Sequence, residues 1–394
     1  MSDQPSGRAR LGKQVESVWP LVGWDMWSAR RSLKQFGATD LLPWSRSAAS
    51  PPELSPRRLL YIVPSRDAGY RWGAGLGNHS FDLAVSAGET FEQLEIHTLE
   101  VGQDEAPDHW HQRVVDDVLS LGITHVAAHV EHGANDADDW SWDILVKRLR
   151  RRWRGVFIAV SYDSAYPSVV MHLDRLSRLY PGLSVMAIDR PIPEGLRPHR
   201  TVAGPAFLPV PSVSIAALDA ELEGLEPSFD VTFIGNVEGY PYRSELLGEL
   251  ASAGIAVTVN PHQSAGATRP GFAAYAAALR MSRITLNFSR CNGMPVTQLK
   301  TRILEGSLFG TVVASDSSAY THPYFTPGEH FLAYSSPQEL KGQLEGLLAD
   351  QEALARMRTA ARARAVEIAP RAFWIAVEGE LRRRGLLRLT VTHS

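Results

Sequence analysis

The chain has 394 residues, 44% of them hydrophobic and 21% charged, with a formal net charge of −3. That length exceeds what one hydrophobic core usually organises, so two domains of roughly 150 to 200 residues are expected, and the charge balance lacks the basic footprint of a nucleic-acid binder. The single cysteine, Cys291, excludes an intrachain disulfide framework and a multi-cysteine metal site, and a reducing, cytoplasmic location is expected.

The N-terminus carries no apolar run of the kind found in secretory signals, and no stretch approaches the roughly 20 apolar residues of a membrane span. Residues 1–55 read as an arm in which Trp19, Trp24, Trp27 and Trp44 stand among polar residues, with one short helix near Trp27–Phe36 and a closing linker, SAASPPELSP. These tryptophans either pack against the main body or meet a partner or the inner face of a membrane peripherally.

Beyond the linker, short apolar runs recur: RLLYIV (58–63), LEIHTLE (94–100), THVAAHV (124–130), GVFIAVS (155–161) and LSVMAI (183–188). Helix-like stretches lie between them, near 78–88, 108–121, 139–153 and 167–179. Strands alternating with helical periods predict βαβ units and a parallel sheet covered on both faces. Residues 56–212 are therefore read as a Rossmann-like domain.

Periodicity weakens through a Pro-rich passage that includes FLPVPS, and 213–228 reads as a linker. VTFIGN (231–236), IAVTVN (255–260), RITLNF (283–288), TVVASD (311–316) and HFLAYS (330–335) then alternate with helices near 241–252, 271–280, 296–308 and 336–348. This second Rossmann-like unit spans 229–369. Helices near 350–367 and 370–385 and the tail RLTVTHS close the chain, with 370–394 set apart as a C-terminal helix and tail. The expected class is α/β, with two doubly wound Rossmann-like domains facing across a cleft and an N-terminal arm. Ligands of open α/β sheets bind at the carboxyl ends of the strands, which places the site in that cleft.

In the second domain the first strand ends at Gly235 and Asn236, and PYRSELLGEL starts a helix with Arg243 in its first turn. A glycine that admits a ligand to the backbone, beside an Arg at a helix N-terminus, suits an anion such as diphosphate; a simple turn glycine is the plainer alternative. The loop SRCNGMP places Asn292, Gly293 and Met294 where backbone amides face the crevice, and Pro295 is placed to start a helix. In that helix Leu299, Ile303 and Leu308 take the buried side, with Lys300, Arg302 and Glu305 beside them. Glu305 is expected toward the C-terminal end, where the helix dipole disfavours a carboxylate. Either a ribose-like pair of hydroxyls compensates, or Arg302 and Glu305 pair at i, i+3 on the surface.

The order VTFIGNVEGYPYRSELLGEL, ITLNFSR, QLKTRILEGSLFGTVVASD and YFTPGEHFLAYSSPQELKGQLEGLLAD resembles the C-terminal domain of glycosyltransferases of the two-Rossmann-domain (GT-B) architecture. The resemblance is to the glycosyltransferase family 1-like kind, closest to the CgeB-like group, and covers about residues 228–368. It implies that the Arg-x-x-Glu helix lies under a nucleotide sugar, that Glu305 binds the ribose, and that Lys300 and Arg302 contact the diphosphate. Gly235, Asn236 and Arg243 would line the opposite wall. The implied donor is a UDP- or GDP-linked sugar, the implied transfer needs no metal or other cofactor, and the acceptor is a glycan, lipid, protein or small molecule. Many retaining members carry a further glutamate eight positions earlier, where this chain has Thr297; contact to the donor sugar and the stereochemical outcome stay open.

In the first domain, RLLYIVPS leads into the Gly-rich RDAGYRWGAGLGNHSFDLA. The same resemblance implies that Gly75, Gly77 and Asn78 face the donor phosphates and the acceptor, with His79 as a general base or, more plainly, a helix-capping residue. Asp163, after GVFIAVSY, is the second base candidate and equally a turn former.

Other motifs are set aside. GAGLG does not follow its strand directly and Asn78 stands where the third glycine of a dinucleotide fingerprint belongs. DADDW (136–140) and KRLRRRWR (147–154) suit the two ends of one helix, the basic run being a solvated face or a contact to anionic headgroups. HVEHG (129–133) lacks zinc-ligand spacing, and Cys291 shows no sign of activation. The reading reached is a metal-independent glycosyltransferase. A sugar-nucleotide epimerase or a non-catalytic bilobal nucleotide-sugar binding protein is the alternative.

Overall fold

The structure is a computed structural model that describes residues 57–64, 79–91, 94–101, 105–130, 141–162, 164–190, 202–237, 240–260, 272–291, 296–316 and 319–386. The N-terminal arm, DADDW, most of HVEHG and the RLTVTHS tail lie outside them.

Six strands, β1 (Arg57–Pro64), β2 (Leu94–Val101), β3 (His125–His129), β4 (Val156–Ser161), β5 (Leu183–Ala187) and β6 (Val202–Ala203), form a sheet in the order β2-β1-β3-β4-β5-β6. Every neighbouring pair is parallel. Residues of β3, β4 and β5 are buried throughout, as strands covered on both faces must be. The edge strand β2 instead exposes Glu95 and Glu100.

Helices α1 (His79–Thr90), α2 (Pro107–Ser120), α3 (Trp142–Arg152) and α4 (Pro167–Leu179) connect these strands. One sheet face packs Phe157 against α2 to α4 around Trp110 and Trp142, whose rings meet edge-on at 5.3 Å. Asp143 in the first turn of α3 and Arg150, Arg151 and Arg152 in its last both suit the helix dipole. Much of that basic run is engaged by neighbours, Lys147 by Asp143 and Arg148 by Asp108.

The second sheet contains β7 (Phe229–Phe233), β8 (Thr258–Val259), β9 (Ser282–Asn287), β10 (Val312–Asp316) and β11 (Leu332–Tyr334) in the order β11-β10-β9-β7-β8, again all parallel. Its helices are α5 (Ser212–Glu221), α6 (Pro241–Ser252), α7 (Phe272–Arg280), α8 (Arg302–Leu308), α9 (Pro337–Ala349) and α10 (Gln351–Ile368); α11 (Ala372–Arg383) ends the chain's helices. Numbered from its own first strand, the first sheet runs 2-1-3-4-5-6 and the second 2-1-3-4-5. The strand order therefore reverses between β1 and β3 and between β7 and β9, the two places where ligands enter such sheets. The two-Rossmann α/β class expected from sequence is the observed one.

Two segments depart from expectation. The span 213–228, expected as a linker, contains α5, whose first backbone amides, Ser212 and Val213, donate to the Glu89 carboxylate of α1 at 2.8 and 3.3 Å. Leu218 and Leu222 then bury against α7. No stripe marked this helix, because its apolar residues, including the exposed Val213, are spread around it. The second departure is α11, which returns to the first sheet: Phe373, Trp374, Val377 and Leu381 pack with Leu59, Tyr61, Val63 and Leu83. Trp374 is 0% exposed, and its indole N–H donates to Ser86 Oγ at 2.9 Å.

Truncating a fully buried Trp costs about 3–5 kcal/mol. Trp374→Ala is therefore expected to lower the urea-unfolding free energy of the first domain by about 4 kcal/mol. A loss under about 1 kcal/mol would show that α11 does not complete this core.

Candidate functional site

The carboxyl edges of the two sheets meet at Asp189, just past the end of β5. Asp189 is 7% exposed. Its Oδ1 accepts from the hydroxyl and backbone N–H of Ser164 at 2.6 and 3.3 Å. From the other domain, the Gln298 side-chain amide donates to Oδ2 at 2.6 Å and the Leu299 N–H to the Asp189 carbonyl at 2.5 Å. A buried carboxylate is tolerable only with donors of this kind around it. Gln298 Oε1 in turn accepts from Lys300 Nζ.

These contacts change where the next helix begins. The helix expected over 296–308 starts only at Arg302 and has seven residues. Thr297 forms an antiparallel bridge with Arg290, Cys291 donates its N–H to Val296 at 2.8 Å, and the Gln298 N–H goes to Ser289 at 2.8 Å. Backbone donors committed to another strand and another domain hold 296–300 extended. Lys300 consequently lies before the helix, at the domain junction.

Glu305 then falls in the first turn of α8, where the dipole favours a carboxylate. The expected C-terminal placement is overturned. The i, i+3 pair with Arg302 is also absent. Instead the Tyr275 hydroxyl donates to Glu305 Oε2 at 2.6 Å, while Oε1 accepts no hydrogen bond from any of the described residues. Tyr275 is 3% exposed, and burial, reinforced by the Glu305 charge, raises its hydroxyl pKa. It therefore stays a donor and fixes one oxygen of the carboxylate.

The Arg302 guanidinium lies against Gly235. A Cβ there would stand 3.1 Å from Phe233 Cζ and 3.3 Å from Arg302 Nη1, so glycine keeps the strand end open to this side chain. The guanidinium carbon is 5.9 Å from the Phe233 ring centre and 5.6 Å from that of Tyr275. Arg302 makes no ion pair among the described residues, and its buried Nε has no hydrogen-bond partner. Gly235 is fixed by Asn260, whose side-chain amide accepts from its N–H at 2.8 Å and donates to its carbonyl at 3.0 Å. Arg243 closes the edge: it lies 3.9 Å over the Tyr240 ring and donates to the Asn236 carbonyl at 2.6 Å.

Gly235, Arg302 and Glu305 are thus brought together, with Asn236 and Arg243 at the same strand end. His79 is the first residue of α1; its side chain lies outside the described residues, as do Gly75, Gly77, Asn78, Asp163, Asn292, Gly293 and Met294. Sequence reasoning missed Asp189, Gln298 and Tyr275, along with two groups at strand carboxyl ends. One is His129, 5% exposed and stacked on Tyr162 at 5.1 Å, next to the β1/β3 reversal. The other is Asp316, which accepts from the Ser289 N–H at 2.5 Å. Asp189 follows the LSVMAI run directly and was open to the logic that selected Gly235. Tyr275 is the one hydroxyl in FAAYAAALR, a faint signal. Among the described residues, no group of three or more His, Cys, Asp or Glu is placed to hold a metal ion, and no helix is long and apolar enough to cross a membrane.

Residues 215–368 match a family described as glycosyl transferase-like, from within α5 to the end of α10. The chain is similar in structure to an α-glucosyltransferase in complex with UDP-glucose and DNA containing an abasic site, at 9% identity and a TM-score of 0.50, covering 83% of this chain and 98% of that one. It is also similar to the Anabaena protein HepE in complex with UDP, at 11% identity, a TM-score of 0.49 and 83% and 100% coverage. Sucrose-phosphate synthase from Thermosynechococcus elongatus shows 10% identity, a TM-score of 0.49 and 83% and 98% coverage. No curated protein matches the chain in sequence. At such identities the likeness is one of fold.

Burial raises the Asp316 carboxyl above its usual 3.8, so the folded protein holds this proton more tightly than the unfolded chain. Its contribution to stability is present below 3.8 and is lost as pH rises through the folded pKa. Asp316→Asn keeps an oxygen for Ser289 and is expected to raise Tm at neutral pH while reducing the fall of Tm across that window. Superimposable Tm profiles for the two proteins would contradict this assignment.

Proposed function

We propose that the protein is a glycosyltransferase that moves a sugar from a nucleoside diphosphate sugar, UDP- or GDP-linked, to an acceptor held mainly by the first domain. The observation that carries this reading is the pair on the first turn of α8: a guanidinium against Gly235 that has no counter-ion among the described residues, and a carboxylate with one oxygen tied and the other without a donor among them. A diphosphate supplies the missing anion, and vicinal ribose hydroxyls supply donors for the open oxygen. The glycosyl transferase-like match covers this region and supports the same reading.

In the transfer, negative charge grows on the departing diphosphate. Arg302, Lys300 and Arg243 are preorganised cations at the strand ends, and such groups act most strongly where charge develops. With three of them, transfer without a metal forms part of the proposal. The acceptor hydroxyl must lose a proton to a group within hydrogen-bond reach. That role is proposed for His79 or Asp163, which follow β1 and β4 in the sequence.

The α-glucosyltransferase of similar fold was solved with UDP-glucose, which makes UDP the first probe and GDP the second. Hydrogen bonds to charged groups contribute about 1.5–3 kcal/mol, so Glu305→Ala is expected to weaken nucleotide binding by calorimetry about 10- to 100-fold. Tyr275→Phe frees the carboxylate without removing it and should cost less. Failure of the wild-type protein to bind either UDP or GDP would overturn the reading.

A further inference from the structure

At the amino edge of the second sheet, opposite the Gly235 site, lies a cavity. Its volume is about 420 Å³, and Asp219, Leu222, Glu223, Arg280, Phe309 and Arg362 line it. Arg280 ends α7 just before β9, and Phe309 follows α8 just before β10, which fixes the cavity at the strand starts.

Three guanidiniums converge here, and two are accounted for. Arg362 donates to Asp219 Oδ2 at 2.5 Å and to the Leu308 carbonyl, and Arg358 donates to the Gly310 carbonyl at 2.6 Å. They satisfy carbonyls left open at the end of α8. Arg280 differs. Among the described residues it has no ion pair and no hydrogen bond, and its Nε is buried. Its Nη1 lies 3.0 Å from where a Cβ on Gly310 would stand, and Gly310 has a φ of +75°. Both the turn and the guanidinium therefore require glycine. Burial and then the Arg280 charge lower the pKa of Arg358, with Glu226 acting in the opposite direction.

A half-buried guanidinium without a counter-ion is costly to hold, and its planar fork matches an oxyanion. We infer that this cavity binds a small oxyanion-bearing molecule, a phosphate monoester or a carboxylate, with its anion on Arg280 and its apolar part on Leu222 and Phe309. Arg362 is already neutralised by Asp219, so Arg280 is the anion's partner. The exposed Glu223 accepts from a ligand hydroxyl. The inference does not depend on the donor reading.

Titration of the full chain with inorganic phosphate, glycerol 3-phosphate and butyrate tests it. Saturable binding of at least one probe is expected, with at least a tenfold loss of affinity in Arg280→Gln and none in Arg302→Gln. The probe preferred identifies phosphate ester or carboxylate as the natural class. If Arg280→Gln does not fold, Ala220→Trp, placed at the exposed cavity wall, must block binding. The inference is overturned if no probe binds, if binding survives both Arg280→Gln and Ala220→Trp, or if it is lost in Arg302→Gln, which would place the anion at the Gly235 edge.

Discussion

The carboxylate of Asp189 is nearly sealed from solvent and takes hydrogen bonds from both domains at once. Removing its charge from water is unfavourable by several kcal/mol, and the donors of Ser164 and Gln298 on the carboxylate help to offset that, while Leu299 ties the Asp189 carbonyl. The consequence reaches well beyond the contact. Donors drawn to Asp189 and Ser289 keep residues 296–300 out of a helix, so α8 starts at Arg302 and Glu305 enters its first turn. The electrostatic character of the second domain's site is thus set by a residue of the first.

Around α8 the molecule tolerates charges that it could have paired. Arg302 and Glu305 are i, i+3 neighbours, the spacing at which helical ion pairs form, yet each is turned to a different purpose: Glu305 to the Tyr275 hydroxyl, Arg302 to the bare backbone at Gly235. Tyr275 and Arg280 lie on the same helix, α7, and Phe309 donates its N–H to the Glu305 carbonyl at 3.0 Å. Leu222, Tyr275 and Phe309 belong to one packed cluster. The two edges of the second sheet are therefore joined through a short, contiguous stretch of core.

How much of this could be read from the sequence depended on the range of the deciding interaction. Parallel strands were legible because burial on both faces writes an unbroken apolar run, as in VFIAVS. Gly235 was legible because a strand end is local, whereas Arg302 and Glu305 stood out by their Arg-x-x-Glu motif and not by their place in the helix. The start of α8 was not, because Leu299 and Ile303 keep helical spacing while a partner 109 positions away, Asp189, decides the backbone. α5 escaped for the opposite reason: buried contact with α7 on one side and Glu89 capping from α1 on the other leave it no single apolar stripe.

The return of α11 bears on the order in which the chain is made. The face of the first sheet that carries Leu59, Tyr61 and Val63 is closed by α11, with Thr90 meeting Pro370 across 280 positions and Ser86 meeting Trp374 across 288. During synthesis, which proceeds from the N-terminus, that face has no final cover until α11 has emerged, after every described strand of both sheets. The second sheet and α5 to α10 are by then complete. The domain translated first therefore takes part of its core from a helix translated after the whole second sheet.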